Sequence, residues 1–295
     1  MNRITHLKQI ILPFIVATML AGVAISRDAQ AVNPPPDGGY PNFTTAEGDN
    51  ALKALTTGLA NTAVGTFSLF EVSTGNFNTA VGAGALDFNQ ADSNTATGTA
   101  ALLLNTNGTE NTAVGAAALE FNDTGDQNTA TGAFALFSNS TGSLNTATGV
   151  QALFSNTTGP SNTAIGFQAL LSNSTGDHNT ATGVRALSNN TIGLANTANG
   201  ADALTLNISG NFNSAFGTSA LGENQIGSLN TAVGNGALLF NNADDNTAVG
   251  ENALRENTIG TDNTAIGGLA LQGNTSGGTN TASGFHEQGH ATERY

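Results

Sequence analysis

The sequence contains no cysteine and no tryptophan, and only six prolines occur among its 295 residues. The absence of cysteine excludes disulfide bonds, thiolate metal sites and a lipidated N-terminal cysteine. Basic residues are also scarce, because residues 32–295 contain only Lys53, Arg185, Arg255 and Arg294 against twenty acidic residues. So few cations cannot neutralise a phosphate backbone, so nucleic acid is excluded as a partner and an anionic membrane surface is disfavoured.

The N-terminal thirty residues have the features of an export signal. Arg3 and Lys8 precede an apolar run over residues 10–25, and the small-residue pattern A-Q-A follows at residues 29–31. This order is typical of a secretory signal peptide, so residues 1–31 are predicted to be cleaved; a single membrane anchor is the alternative. We therefore expect a secreted protein, extracellular or at the cell surface, with no intrinsic membrane anchor.

A short string, N-T-A-x-G, recurs at a fixed spacing along most of the chain, which is the mark of a repeat architecture. The spacing is 17 residues except for two steps of 16, and a degenerate copy, T-T-A-E-G, begins at Thr44. About fifteen units therefore span residues 44–284, after a Pro/Gly-rich lead-in at 32–43 and before a polar tail at 285–295. The regular copies begin at Asn61, Asn78, Asn94, Asn111, Asn128, Asn145, Asn162, Asn179, Asn196, Asn213, Asn230, Asn246, Asn263 and Asn280.

The full unit reads N-T-A-x-G-x-x-A-L-x-x-N-x-T-G-x-x, and its positions are numbered one to seventeen from the first Asn. Seventeen residues without helical periodicity suit two short strands, N-T-A-x-G and A-L-x-x, joined by two turns. Gly at positions five and fifteen and Asn at twelve are expected to supply positive φ where the chain turns. The predicted fold is an all-β parallel β-roll or β-solenoid with one coil per unit. In two successive units the structural repeat positions are Asn128, Ala130, Gly132, Ala135, Leu136, Asn139, Gly142, Asn145, Ala147, Gly149, Ala152, Leu153, Asn156 and Gly159.

Stacked coils place equivalent residues above one another, which leads to two further predictions. The Asn at position one is expected to form an amide ladder, although a simple turn role is the alternative, and the Asn at position twelve is expected to be a turn former. If Leu at position nine fills the interior of a strand, Ala at position eight faces outward. An outward face restricted to Ala predicts close approach of another copy, as in a homotrimer, unless Ala only fits a tight corner.

The segment N-T-A-I-G-F-Q-A-L-L-S-N-S-T-G, which begins at Asn162, resembles the head repeats of trimeric autotransporter adhesins, the YadA-like head family. The resemblance covers residues 44–284 and implies a trimeric left-handed parallel β-roll. It implies no binding residue, and the repeats of this family are usually shorter. The coiled-coil stalk and membrane barrel that follow such heads have no counterpart in this sequence.

One string suggests catalysis: residues 286–290 read H-E-Q-G-H and match the H-E-x-x-H pattern of zinc proteases. That chemistry needs both His residues one turn apart on a helix, with a further ligand downstream. Gly289 disfavours the helix, so we predict no catalytic residue, no metal site and no cofactor; adventitious metal capture by the tail is the alternative. Acidic turns at residues 122–126 and 244–245 fit no known calcium loop.

The sequence predicts a secreted structural or adhesive protein that presents a long repetitive face to a surface glycan, a matrix component or another copy. Variable positions ten, sixteen and seventeen, including Phe137, Phe154 and Leu171, are expected to determine the ligand, with Arg185 at position seven. The alternative is an ice-binding β-solenoid with stacked Thr-x-Thr pairs. These pairs are Thr95 and Thr97, Thr129 and Thr131, Thr146 and Thr148, and Thr180 and Thr182.

Overall fold

A computed structural model describes residues 41–287 and 290–291. The predicted signal peptide and most of the lead-in lie outside the described residues. After a short 3-10 turn at Pro41–Phe43, each repeat forms one coil whose positions two to four are a strand. The strands are β1 (Thr45–Glu47), β2 (Thr62–Val64), β3 (Thr79–Val81), β4 (Thr95–Thr97), β5 (Thr112–Val114), β6 (Thr129–Thr131), β7 (Thr146–Thr148), β8 (Thr163–Ile165), β9 (Thr180–Thr182), β10 (Thr197–Asn199), β11 (Ser214–Phe216), β12 (Thr231–Val233), β13 (Thr247–Val249), β14 (Thr264–Ile266), β15 (Asn280–Ser283) and β16 (His290–Ala291).

Strands β1 to β15 pair in chain order to make one parallel sheet. The register places like residues together, so that Thr129 pairs with Thr146 and Ala130 with Ala147. Strand β16 instead pairs antiparallel with β15. The predicted all-β parallel β-solenoid with a coil of about 17 residues is therefore confirmed.

The two 16-residue units keep this register, because their missing residue is removed from the turn after position twelve. Thr79 still pairs with Thr95 on the next coil. The carbonyl of Ala91 accepts the amide protons of Asn78 and Asn89, a role that the Gly at position fifteen has in a full coil. Ala243 does the same in the second short unit. The turn is tighter, as predicted.

The predicted second strand is wrong. Positions six to eleven form consecutive turns, and the residues at positions seven and nine have positive φ, as in Phe134 (59°) and Leu136 (51°). Position seventeen also has positive φ, whereas within the described residues the Gly at fifteen and the Asn at twelve do not. Left-handed backbone costs a non-glycine residue about 1–2 kcal/mol. Burial of the leucine side chain contributes about 1.5–3 kcal/mol, which offsets that cost.

Hydrogen bonds between coils continue around the turns even though only one strand forms. In the coil that begins at Asn128, Phe134 N–H donates to the preceding coil, at the Ala116 carbonyl, over 3.0 Å. Leu136 N–H donates to the following coil, at the Ala152 carbonyl, over 2.9 Å. The turn segment thus donates hydrogen bonds to both neighbouring coils, and the stack is hydrogen-bonded around most of its perimeter.

Glycine at position five is required for two reasons. Gly149 has φ +134°, and a Cβ atom there would lie 2.5 Å from the carbonyl oxygen of Gly166 on the next coil. This prediction of a positive φ is confirmed. Glycine at position fifteen is required by space alone: a Cβ on Gly142 would lie 2.6 Å from Asn139 Oδ1 and 2.8 Å from the Gly159 carbonyl oxygen.

Candidate functional surfaces

The interior of the stack consists of three apolar columns and two asparagine columns. Positions three, eight and nine, represented by Ala130, Ala135 and Leu136, have no exposed surface. The prediction that Ala at position eight faces outward is therefore wrong, since its segment is not a strand and adjacent side chains can both point inward. The close approach of a second copy cannot be argued from Ala152, which is equally buried.

The asparagines at position twelve form a continuous side-chain ladder, contrary to the prediction of a simple turn role. Asn139 Nδ2 donates to Asn122 Oδ1 over 2.7 Å, and Asn156 Nδ2 donates to Asn139 Oδ1 over 2.8 Å. Each amide also donates to the glycine carbonyl three residues later, as Asn139 does to Gly142. The buried amides are thereby satisfied on both sides, as buried polar groups need to be.

The asparagines at position one also bond from coil to coil, as predicted, but mainly to backbone. Asn145 N–H donates to Asn128 Oδ1 over 3.0 Å, and Asn128 Nδ2 donates to the Gly142 carbonyl over 2.8 Å. Some links are also side chain to side chain, as from Asn128 Nδ2 to Asn111 Oδ1 at 3.1 Å. The two asparagine columns therefore meet at the carbonyl of position fifteen.

Position sixteen has a structural role in several coils rather than a ligand-selecting one. Asp126 Oδ1 accepts from the Thr109 N–H over 2.7 Å, and Asp244 Oδ1 accepts from the Ser228 N–H over 2.7 Å. Asn211 Oδ1 accepts in the same way from Leu194. These oxygens hold the backbone of the preceding coil.

Position ten forms a column along one edge of the stack, the position-ten column, whose residues vary from coil to coil. Phe137 is 5% exposed and stacks on Phe154 with ring centroids 5.0 Å apart. Phe121 at position eleven and Phe134 at position seven pack edge-on against the Phe137 ring. Phe137 is thus enclosed by its neighbours and cannot select a ligand, whereas Phe154 and Leu171 are half-buried.

Two carboxyl groups lie in the same column. Glu120, in the coil before Phe137, is 5% exposed, and burial raises the pKa of its carboxyl from 4.5 to about 7. Burial and the nearby charge of Glu71 raise the pKa of Asp87 to about 6. Asp87 Oδ1 has no hydrogen-bond partner within the described part of the chain. Ionisation of either group near neutral pH therefore opposes folding.

We expect Glu120→Gln to stabilise the protein at pH 8 and to have little effect at pH 4. The pKa of the Glu120 carboxyl is higher in the folded than in the unfolded protein, so its ionisation destabilises the fold. This loss of unfolding free energy is absent below pH 4, grows as the pH rises toward and through about 7, and reaches roughly 3 kcal/mol. Thermal unfolding at pH 4, 6 and 8 measures this trend. Glu251→Gln, at an exposed position, is the control, and an equal effect of Glu120→Gln at all three pH values would contradict the argument.

The described residues of the H-E-x-x-H string, 286, 287 and 290, are not helical. His290 lies in strand β16, and the His286 N–H donates to the Gly268 carbonyl over 2.9 Å, as in a further coil. Gln288 and Gly289 lie outside the described residues. Within residues 41–287 and 290–291, no group of three metal-ligating side chains comes together. A separate finding on the same residues is that no helix is long and apolar enough to cross a bilayer.

The solvent side of the sheet forms a continuous, uniform surface along the described chain. Positions two and four of each strand point away from the buried Ala at position three, and position six follows them at the surface. In the eleven coils from Asn61 to Asn230, these three positions contain no charged residue. We call this surface the sheet face. Its exposed apolar residues include Val114, Val150, Ile165, Phe167, Val184, Phe216 and Val233.

Charged residues bracket the sheet face. Glu47 and Asp49 occupy positions four and six of the first coil, and Glu251 occupies position six of the coil after Asn246. The sequence pattern contains this signal, because the same three positions can be read down the repeat. The signal is the absence of charged residues, and the variable positions ten, sixteen and seventeen do not contain that signal.

The three cations of the array lie on another edge, at positions seven and ten. Lys53 lies 5.6 Å from the Phe70 ring centroid and Arg255 lies 5.0 Å from that of Phe240. Arg185 makes a two-point ion pair with Asp202, through Nε to Oδ1 at 2.8 Å and Nη2 to Oδ2 at 2.9 Å. This edge therefore combines aromatic, cationic and anionic groups.

Fold and surfaces together define a repetitive parallel β-solenoid with an uncharged sheet face. No family model matches the sequence, and a search among curated proteins finds no relative.

Proposed function

We propose that this is an exported structural or adhesive protein that acts through its sheet face, and that the occupant of this face is another copy of the chain. The observation that carries the proposal is the absence of charge over eleven successive coils of a chain with a formal net charge of −14. The face combines exposed apolar side chains with a column of threonines, and apolar groups gathered on one exposed surface mark interaction sites in soluble proteins. A surface used only to stay hydrated has no reason to exclude charge so consistently.

The size of the sheet face supports self-association. With strands about 4.8 Å apart and residues about 3.3 Å apart, it measures roughly 50 Å by 15 Å, close to the roughly 800 Å² per partner of a stable interface. The YadA-like resemblance of the repeats supports a homotrimer. Such an assembly would leave the position-ten edge available to a surface glycan or matrix ligand, and repetition of one surface gives weak contacts avidity.

Immunogold labelling of intact cells and culture supernatant tests the proposed location. We expect label at the cell surface or along released filaments, because the N-terminal segment has the pattern of an export signal and the array resembles adhesin heads. Protein confined to the periplasm would contradict the proposal. A strain that lacks the gene provides the control for antibody specificity.

Ice binding is the second candidate, and one observation favours it. Position two presents a column of outward Thr residues, interrupted only by Ser214, on a regular parallel sheet. Position four is less regular, with Asn199 and Phe216 in the middle of the array. Since two matched hydroxyl rows are expected for an ice plane, we place this function second; thermal hysteresis of the purified protein distinguishes the two.

A further inference from the structure

We propose that a pocket on the position-ten edge binds one unit of a neutral, hydroxyl-rich saccharide. The inference deepens the proposed adhesive function by naming a ligand class, and it rests on that function. The pocket has a volume of about 290 Å³, near the lower end of the range for small-molecule sites. A ligand the size of one sugar ring is therefore expected rather than a peptide.

The pocket arises from a change in the position-ten column. From Leu103 to Leu171 every residue of the column has a large side chain. The side chains then become smaller, with Ser188 and Thr205 followed by Gly222. The next coil restores a large residue, Leu239. The missing side chain of Gly222 leaves the floor of the pocket, with Thr205 and Leu239 at its two ends.

The walls come from the neighbouring columns. Position seven contributes Arg185, Asp202 and Ser219, and position eleven contributes Leu206 and Glu223. The lining therefore mixes polar and charged groups with the apolar side chains of Leu206 and Leu239. A sugar ring has the matching character, with hydroxyl groups at its edge and C–H groups on its faces.

The polar groups of the pocket are already paired with one another in the free protein. The Arg185 guanidinium is held by both Asp202 oxygens, and Thr205 Oγ1 donates to the Arg185 carbonyl over 3.2 Å. The paired Arg and Asp offer N–H donors and carboxylate lone pairs side by side, which a vicinal diol can accept from and donate to. A pre-organised site of this kind lowers the entropic cost of binding.

Charge points to a neutral ligand. Arg185 is already neutralised by Asp202, so an anion gains little from the guanidinium and meets the carboxylate of Glu223. A cation finds only the exposed carboxylate of Glu223 unpaired, and water screens an exposed ion pair so that it contributes little. Hydroxyl groups can use all of these partners without bringing a charge into the site.

Saturation-transfer NMR on the purified protein tests the pocket. The probes are the methyl α-glycosides of glucose, galactose and mannose, with N-acetylneuraminic acid as the anionic probe and glucosamine as the cationic one. We expect saturation of at least one neutral glycoside. No transfer to any neutral probe, or transfer to the charged probes alone, would overturn the proposal.

Gly222→Leu fills the pocket with the side chain that Leu171 and Leu239 already place at position ten. A new Cβ would lie 3.1 Å from the flexible Leu239 Cδ1 and 3.2 Å from the Ser219 carbonyl oxygen, so both neighbours must shift by a few tenths of an ångström. We expect Gly222→Leu to bind the neutral glycoside at least tenfold more weakly. The control is Gln272→Leu, which places the same side chain at position ten three coils farther along and should bind as the unaltered protein does. Equal binding by Gly222→Leu would refute the site.

If circular dichroism shows that Gly222→Leu does not fold, a second variant tests the same site. Asp202→Asn removes one charge and one of the two carboxylate oxygens that hold the Arg185 guanidinium, and we expect a similar loss of affinity. Unchanged binding by Asp202→Asn would overturn the proposal. Neither variant changes a residue of the sheet face. Loss of saccharide binding, measured by NMR, is therefore distinguished from loss of self-association, measured by light scattering.

Discussion

Gly149→Ala is expected to cost about 3–5 kcal/mol of unfolding free energy, from overpacking and backbone strain together. The added Cβ would lie 2.5 Å from the Gly166 carbonyl oxygen and 2.7 Å from its carbonyl carbon. Both are backbone atoms that no rotamer change can move, so the two coils must separate. The φ of +134° adds conformational strain of about 1–3 kcal/mol for a residue with a side chain. Urea unfolding followed by circular dichroism measures the loss.

Gly273→Ala makes the same chemical change where it should be harmless. A Cβ at Gly273 meets nothing within 4 Å, and its φ is not in the left-handed region. We expect no destabilisation, or a gain of about 0.4–1 kcal/mol from a less flexible unfolded chain. Equal losses for the two variants would show that glycine at position five is not required by the stacking of coils.

Ile165→Glu is expected to convert the assembled protein to single chains. Ile165 lies on β8 near the middle of the sheet face and is 44% exposed in one copy. If the face packs against other copies, the new carboxylate must be buried without a partner in each of them, which costs several kcal/mol per ion. Light scattering after size-exclusion chromatography measures the change in mass.

Ile259→Glu is the matched control. Ile259 is more exposed, at 71%, but it lies in the turn after position twelve, off the sheet face. Its substitution should leave the mass unchanged, and both variants should keep the circular dichroism of the unaltered protein. Equal loss of assembly in the two variants would indicate a general effect of charge rather than a specific face.

Much of the fold follows from the sequence because the period itself is informative. The spacing of N-T-A-x-G determined the coil length, the parallel register and the single-residue deletions. Positive φ at Gly149 could also be predicted, since glycine favours it. The inward Ala130 follows from strand alternation around it.

The errors have a common physical cause. Leu136 and Leu153 have left-handed backbone, which leucine disfavours, so the local sequence carries no signal for it. Only hydrogen bonds to both neighbouring coils and complete burial make that conformation favourable. A strand at Ala-Leu would place Ala135 on the outside, but Ala135 is buried and gives no reason to expect a neighbouring copy.

The asparagine at position twelve was misjudged for a related reason. Asn139 is a common turn residue, and one repeat read alone gives it that role. Its bonds to Asn122 and Asn156 appear only when coils are stacked at fixed spacing. The absence of a side chain at Gly222 likewise creates a pocket only because larger residues occupy position ten in the coils on either side.

The mass of the unaltered protein in solution tests whether its chains associate through the sheet face. We expect an assembly of about three times the mass of the denatured chain, present at micromolar concentration and reduced to one chain by Ile165→Glu. A stable monomer across the accessible concentration range would contradict self-association through the sheet face.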